Sequence, residues 1–158
     1  MAKDNKLTFQ FLAEPTDINF GGKVHGGAVM KWIDQVSFAC ASNWAGGYCV
    51  TVYVGGIRFH KPIQIGDLVK IEAKVIYTGK SSMHIMVDVM SKTVVGDQPF
   101  TKTTHCIIVF VSVDKDGAAV VMVSHEEVFK QEFPPFADRI ITLSDAAVKA
   151  DRPNEPIY

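Results

Sequence analysis

A chain of 158 residues has the length of one ordinary domain, enough to bury roughly two thirds of its extended surface around a single core. With 47% hydrophobic and 21% charged residues it lies in the globular range, which excludes disordered and fibrous classes. Sixteen basic and seventeen acidic side chains, a net charge of -1 and no long run of one sign argue against nucleic acid or an anionic membrane as partner.

No apolar stretch approaches the ~18 to 20 residues that cross a bilayer, and the N-terminal MAKDNKLTF lacks the apolar centre of a secretory signal. The expected location is therefore the cytoplasm. Cys40, Cys49 and Cys106 sit in apolar segments without metal-type spacing and read as reduced core residues.

In chain order, LTFQFL at 7–12 alternates apolar and polar residues as a half-buried strand does. Pro15, Asp17, Asn19, Gly21, Gly22, Gly26 and Gly27 then crowd one loop. From Gly26 to Ala45 the apolar residues fall at three- and four-residue steps, which predicts a helix stopped by Gly46-Gly47. Its apolar surface is broad, with Met30, Trp32, Phe38 and Trp44 spread around it, and suits a helix wrapped by sheet.

Four strands follow, at 49–60, 67–77, 82–90 and 101–113, and Gly66-Asp67, Gly79-Lys80 and Gly96-Asp97 read as hairpin turns between them. Gly55-Gly56 interrupts the second strand and marks a bulge, a bend or a close approach. The pattern is α+β, with a domain over 1–115 and an extension over 116–158 that holds a short helix at HEEVFKQEF and a partly ordered tail from Pro134.

The chemistry concentrates between Asn19 and Asp34. Glycines at 26 and 27 turn the chain into the helix and leave its first N–H groups uncovered, a place for a developing oxyanion. Asp34 lies two turns inside, with Met30 and Phe38 as its i±4 neighbours. A carboxylate among apolar groups tends to titrate nearer working pH, as a general base or nucleophile must. Its bland alternative is a salt bridge to Lys31. Asn19 reads as a turn residue on context alone, and His25 as orienting the turn, donating a hydrogen bond or packing at the helix start.

Asn19 with Gly22 and His25-Gly26-Gly27, Asp34 in KWID, VTVYVGGIRFHKPIQIGD at 50–67 and GKSS at 79–82 together resemble the hotdog-fold acyl-CoA thioesterases over roughly residues 8 to 113. The resemblance implies a long helix wrapped by a curved antiparallel sheet. It also implies a homo-oligomer, dimer or trimer of dimers, hydrolysing acyl-CoA without a cofactor or metal. Asn19 and Asp34 of one site would come from different protomers. Asp34 would act as base or nucleophile, Asn19 would position the attacking group, and Gly26 and Gly27 would polarise the thioester carbonyl. Arg58, Lys61, Lys80, Ser81 and Ser82 would flank coenzyme A. His25, where many short-chain members carry an aromatic residue, resembles the long-chain branch.

Two other readings stand beside it. A hotdog dehydratase would show a catalytic His in a proline-rich loop, an arrangement this sequence lacks. A non-catalytic acyl-CoA sensor shares the fold, and the pairing of Asn19 with Asp34 argues against it.

Overall fold

The computed structural model describes residues 4–120, so the helix expected at 125–133 and the tail from 134 lie outside the described residues. The helical spacing from Gly26 yields α1, Gly26–Ala45, over the whole expected span. At its start the His25 side chain accepts the Gly27 N–H. At its end Gly46 takes φ 73°, a shape that costs glycine little, and its N–H donates to the Ser42 carbonyl. Val29, Ile33, Val36, Cys40, Ala41 and Trp44 recur on one face, and that face is buried.

Five strands surround it: β1, Lys6–Leu12; β2, Cys49–Phe59; β3, Asp67–Thr78; β4, Ser82–Thr93; β5, Thr101–Ser112. All pairings are antiparallel, in the order β1-β3-β4-β5-β2. Alternate residues of the inner strands, among them Val69, Ile71, Val75, Ile85, Val87, Ile108 and Phe110, meet α1 in one core. Leu7 and Phe11 of edge strand β1 close that core, and the Phe11 ring meets Trp32 edge-on at 4.9 Å.

One connection differs from expectation. The turns at Gly79-Lys80 and Gly96-Asp97 join hairpin partners, but Gly66-Asp67 does not, because β2 lies at the far edge beside β5. Gly66, at φ 80°, instead docks on the end of β1. Its N–H donates to the Ala13 carbonyl, and the Ala13 N–H donates to that of Asp67. Periodicity reports which face of a strand is buried, not which strand lies beside it.

Gly55-Gly56 proves to be both a bulge and a close approach. The register of β2 on β5 slips between Gly55 and Arg58, Gly56 takes φ 62°, and a Cβ on Gly55 would collide with the Tyr53 ring. The three cysteines are free and buried, and burial pushes the thiols up, to about 11 for Cys40 and about 12 for Cys106.

His84, on β4, is fully buried with its ring edge-on to Tyr77 at 5.3 Å, and neither ring nitrogen has a hydrogen-bond partner among the described residues. Burial pushes the imidazole down to about 4 from 6.5. The folded state therefore holds it neutral, while the unfolded chain takes up a proton below 6.5. Its effect is absent above pH 6.5 and destabilising as pH falls toward 4, by up to about 3 kcal/mol. Thermal midpoints measured from pH 7 to 4 should fall less steeply in His84→Phe than in the wild type; equal slopes would show that His84 does not set the acid limit.

Candidate active site

The loop before α1 is built around the Asn19 side chain. Its Oδ1 accepts the N–H groups of Gly21 at 2.8 Å and Lys23 at 3.3 Å, and the Asn19 carbonyl accepts the Gly22 N–H. Two N–H donors on one oxygen fix the amide's orientation and leave the Nδ2 protons uncommitted. The turn role is therefore met by Oδ1 alone. Asn19 lines an open cleft of about 340 Å³ together with Gly26, Phe59, Lys61 and Thr104.

His25 is the cap of α1. Its Nδ1 accepts the Gly27 N–H at 3.1 Å, which puts the ring proton on Nε2. A Cβ on Gly27 would sit 3.3 Å from that Nδ1, so a side chain there would press on the cap. The two glycine N–H groups are therefore not equivalent. That of Gly27 is engaged, and that of Gly26, which lines the cleft, has no hydrogen-bond partner among the described residues.

Asp34 does not pair with Lys31. The Thr51 hydroxyl of β2 donates to its Oδ1 at 2.6 Å, leaving Oδ2 unengaged. Sequence reasoning missed Thr51, since a threonine in a strand is ordinary and only the packing of α1 on β2 brings the two together. Asp34 is exposed, so the apolar enclosure expected around it is not supplied by the described residues.

The candidate residues separate into two groups. Along α1, Asp34 is eight residues from Gly26, or ~12 Å. In the sheet, Thr51, Phe110 and Met83 form one row, and Phe59, Thr104 and Val89 form another, six β5 residues or ~20 Å away. Asn19, His25, Gly26, Gly27 and Lys61 lie at the second end, by the cleft. Asp34 and Thr51 lie at the first, where the turn bearing Lys80, Ser81 and Ser82 packs beside the end of β5: the Ser112 N–H donates to the Ser81 carbonyl.

Within that turn Lys80 is exposed, whereas the Ser82 hydroxyl is buried without a partner among the described residues. Arg58 stands apart. It is opposite His105 on β5, and since its neighbour Phe59 meets Gly26, Arg58 points to the face of the sheet away from α1. There His105 Nδ1 bonds Asp88 at 2.7 Å and Lys102 pairs with the same oxygen at 2.8 Å. Burial alone would raise the Asp88 carboxyl, and the hydrogen bonds from Lys102 and His105 outweigh it and hold the group below its usual range. Among the described residues no cluster of His, Cys, Asp and Glu is placed to hold a metal ion, and no helix is long and apolar enough to cross a membrane.

Residues 21–95 match the thioesterase superfamily model. The acyl-CoA thioester hydrolase YciA of Salmonella typhimurium is 34% identical over 115 residues, covering 71% of this chain and 86% of that relative. This chain belongs to the hotdog-fold acyl-CoA thioesterase family. Among solved structures, the hexameric thioesterase of Yersinia pestis superposes with a TM-score of 0.69 at 34% identity, covering 73% of this chain and 93% of that one. The acyl-CoA hydrolase of Staphylococcus aureus, solved with butyryl coenzyme A and coenzyme A, reaches a TM-score of 0.78 at 24% identity over 93% and 91%, a likeness of fold. The hotdog expectation therefore holds: one long helix in a curved antiparallel sheet of five strands.

Proposed function

We propose that the protein hydrolyses acyl-CoA thioesters to free acid and coenzyme A at a site shared by two protomers. The observation that carries the shared site is the separation of Asn19 and Gly26 from Asp34 and Thr51 toward opposite ends of β2. Edge strand β2 presents Val52, Tyr53 and Val54 to solvent, an unpaired apolar edge that a second copy can cover. Antiparallel pairing of β2 with its copy about a two-fold axis sets the Thr51 end of one strand toward the Phe59 end of the other. Asp34 of one protomer then faces Asn19 and Gly26 of its partner. The hexameric assembly of the Yersinia pestis relative supports a trimer of such dimers.

In this site the Gly26 N–H and the start of α1 meet the thioester carbonyl oxygen, and negative charge developing there is stabilised by the helix N-terminus. Asp34 Oδ2 draws a proton from a water that adds to the carbonyl carbon, while the Asn19 amide protons orient that water. Collapse of the tetrahedral intermediate breaks the C–S bond and releases the coenzyme A thiolate, which takes up the proton. The Staphylococcus aureus enzyme has been solved with an asparagine, an aspartate and a threonine each replaced by alanine, at the same two sequence intervals that separate Asn19, Asp34 and Thr51. That coincidence supports this assignment.

Lys61, Lys80, Ser81 and Ser82 are proposed to flank coenzyme A across the shared site, and Arg58 to reach its phosphates from the far face of the sheet. Thiol release followed with a chromogenic disulfide across acyl-CoAs of two to sixteen carbons tests the activity. Release with a chain-length optimum is expected. Tight binding without thiol would favour a sensor, and loss of an enoyl double bond without thiol would favour a dehydratase.

A further inference from the structure

The bulge at Gly55-Gly56 decides which side chain of β2 meets the start of α1. From Val54, opposite Ile108, to Phe59, opposite Thr104, β2 takes five steps where β5 takes four. Gly56, at φ 62°, absorbs the extra residue. One added residue exchanges the two faces of every residue after it. The bulge therefore turns Phe59 toward α1 and Arg58 away from it. In an unbroken strand Arg58 would stand opposite Thr104 and over the helix start.

The Phe59 ring reaches Gly26: its Cζ lies 3.7 Å from where a side chain on Gly26 would begin. The residue is 51% exposed, in the open cleft of about 340 Å³ that Gly26 and Asn19 also line. Val24, Val29 and Ile63, all buried, form an apolar floor to this cleft. Both of its walls are tied down. The His60 N–H donates to the Thr103 carbonyl at 2.7 Å, and the Val24 N–H to the Ile63 carbonyl at 3.0 Å. The Lys23 ammonium donates to Gln64 Oε1 at 2.7 Å.

A thioester whose carbonyl accepts the Gly26 N–H has two arms, and one of them passes over this floor. The sulfur arm carries amide groups that cost free energy when buried without partners, whereas a hydrocarbon acyl arm carries none. We infer that the acyl arm lies on Val24, Val29 and Ile63 with its α-carbon against the Phe59 ring, so that Phe59 selects acyl groups unbranched beside the carbonyl. This inference rests on the acyl-CoA hydrolase reading above. A carbonyl oxygen ~2.9 Å from the Gly26 nitrogen sets the α-carbon only two bonds farther on, within reach of the ring. A straight chain passes along the ring, and a methyl group on the α-carbon meets it. Pockets discriminate by one such group on a scale of about 10- to 200-fold.

The experiment compares kcat/KM for butyryl- and isobutyryl-CoA, isomers that differ in the α-branch, in the wild type, Phe59→Ala, Phe59→Leu and Phe59→Trp. Sedimentation follows the assembly of each. The wild type should favour butyryl-CoA. The ratio of isobutyryl to butyryl is expected to rise about tenfold in Phe59→Ala, to rise less in Phe59→Leu and to fall in Phe59→Trp, with assembly unchanged. A ratio that stays at the wild-type value in all three variants, or an equal loss on both substrates, would overturn the inference. An equal loss accompanied by dissociation would overturn it too, and assign the ring to protomer contact. A wild type that releases thiol from no acyl-CoA of two to sixteen carbons would instead remove the hydrolase reading. Calorimetric affinities for the same two acyl-CoAs then read the ratio without turnover: a tenfold shift in Phe59→Ala upholds the role of the ring, and an unchanged ratio removes it.

Discussion

Asp34→Ala is expected to fold and assemble as the wild type does and to lose about 10³-fold in kcat, the scale on which a positioned general base contributes. Asp34 is exposed, and its one side-chain hydrogen bond among the described residues is from Thr51, so its removal leaves the core untouched and the thermal midpoint little changed. What disappears, in the proposed mechanism, is the oxygen that would take the proton from water. Thr51→Val, which keeps the shape of the strand but frees the carboxylate to rotate, should fall between the two, about tenfold down. Measuring kcat beside the melting curve and the sedimentation profile separates chemistry from folding. Wild-type turnover in Asp34→Ala would remove the residue from the mechanism while leaving the fold intact.

Much of this molecule was legible in its sequence because burial has a period. The three- and four-residue steps from Val29 to Cys40 mark the helix and its buried face, and Gly46 marks its end. The loop chemistry at Asn19 to Gly27 was also legible, since few residue types build a tight turn into a helix start. What the sequence could not convey was adjacency. Nothing local sets β2 beside β5 instead of β3, and nothing local says that Thr51, seventeen residues after Asp34, would supply its hydrogen bond in place of Lys31.

The breadth of the apolar surface on α1 suits a helix wrapped by sheet on several sides. The described residues cover one face and leave Met30 and Phe38 exposed, 45% and 38%, on the face that carries Asp34. Composition counts apolar residues without saying which molecule covers them. If the reactive groups are divided between two ends of a strand, as proposed, that difference decides whether a lone chain can work.

The division itself can be measured. Asn19→Ala and Asp34→Ala, each prepared alone, should both be nearly inactive, because every site in either variant lacks one of its two groups. When the two are dissociated together and allowed to reassemble at random, half of the dimers pair one variant with the other. In each such dimer one site combines the intact Asn19 of one protomer with the intact Asp34 of its partner, and the second site lacks both. Acyl-CoA hydrolysis should therefore return to about a quarter of the wild-type rate. A mixture as inactive as its two parents would contradict the shared site and place Asn19 and Asp34 of one chain in the same reaction.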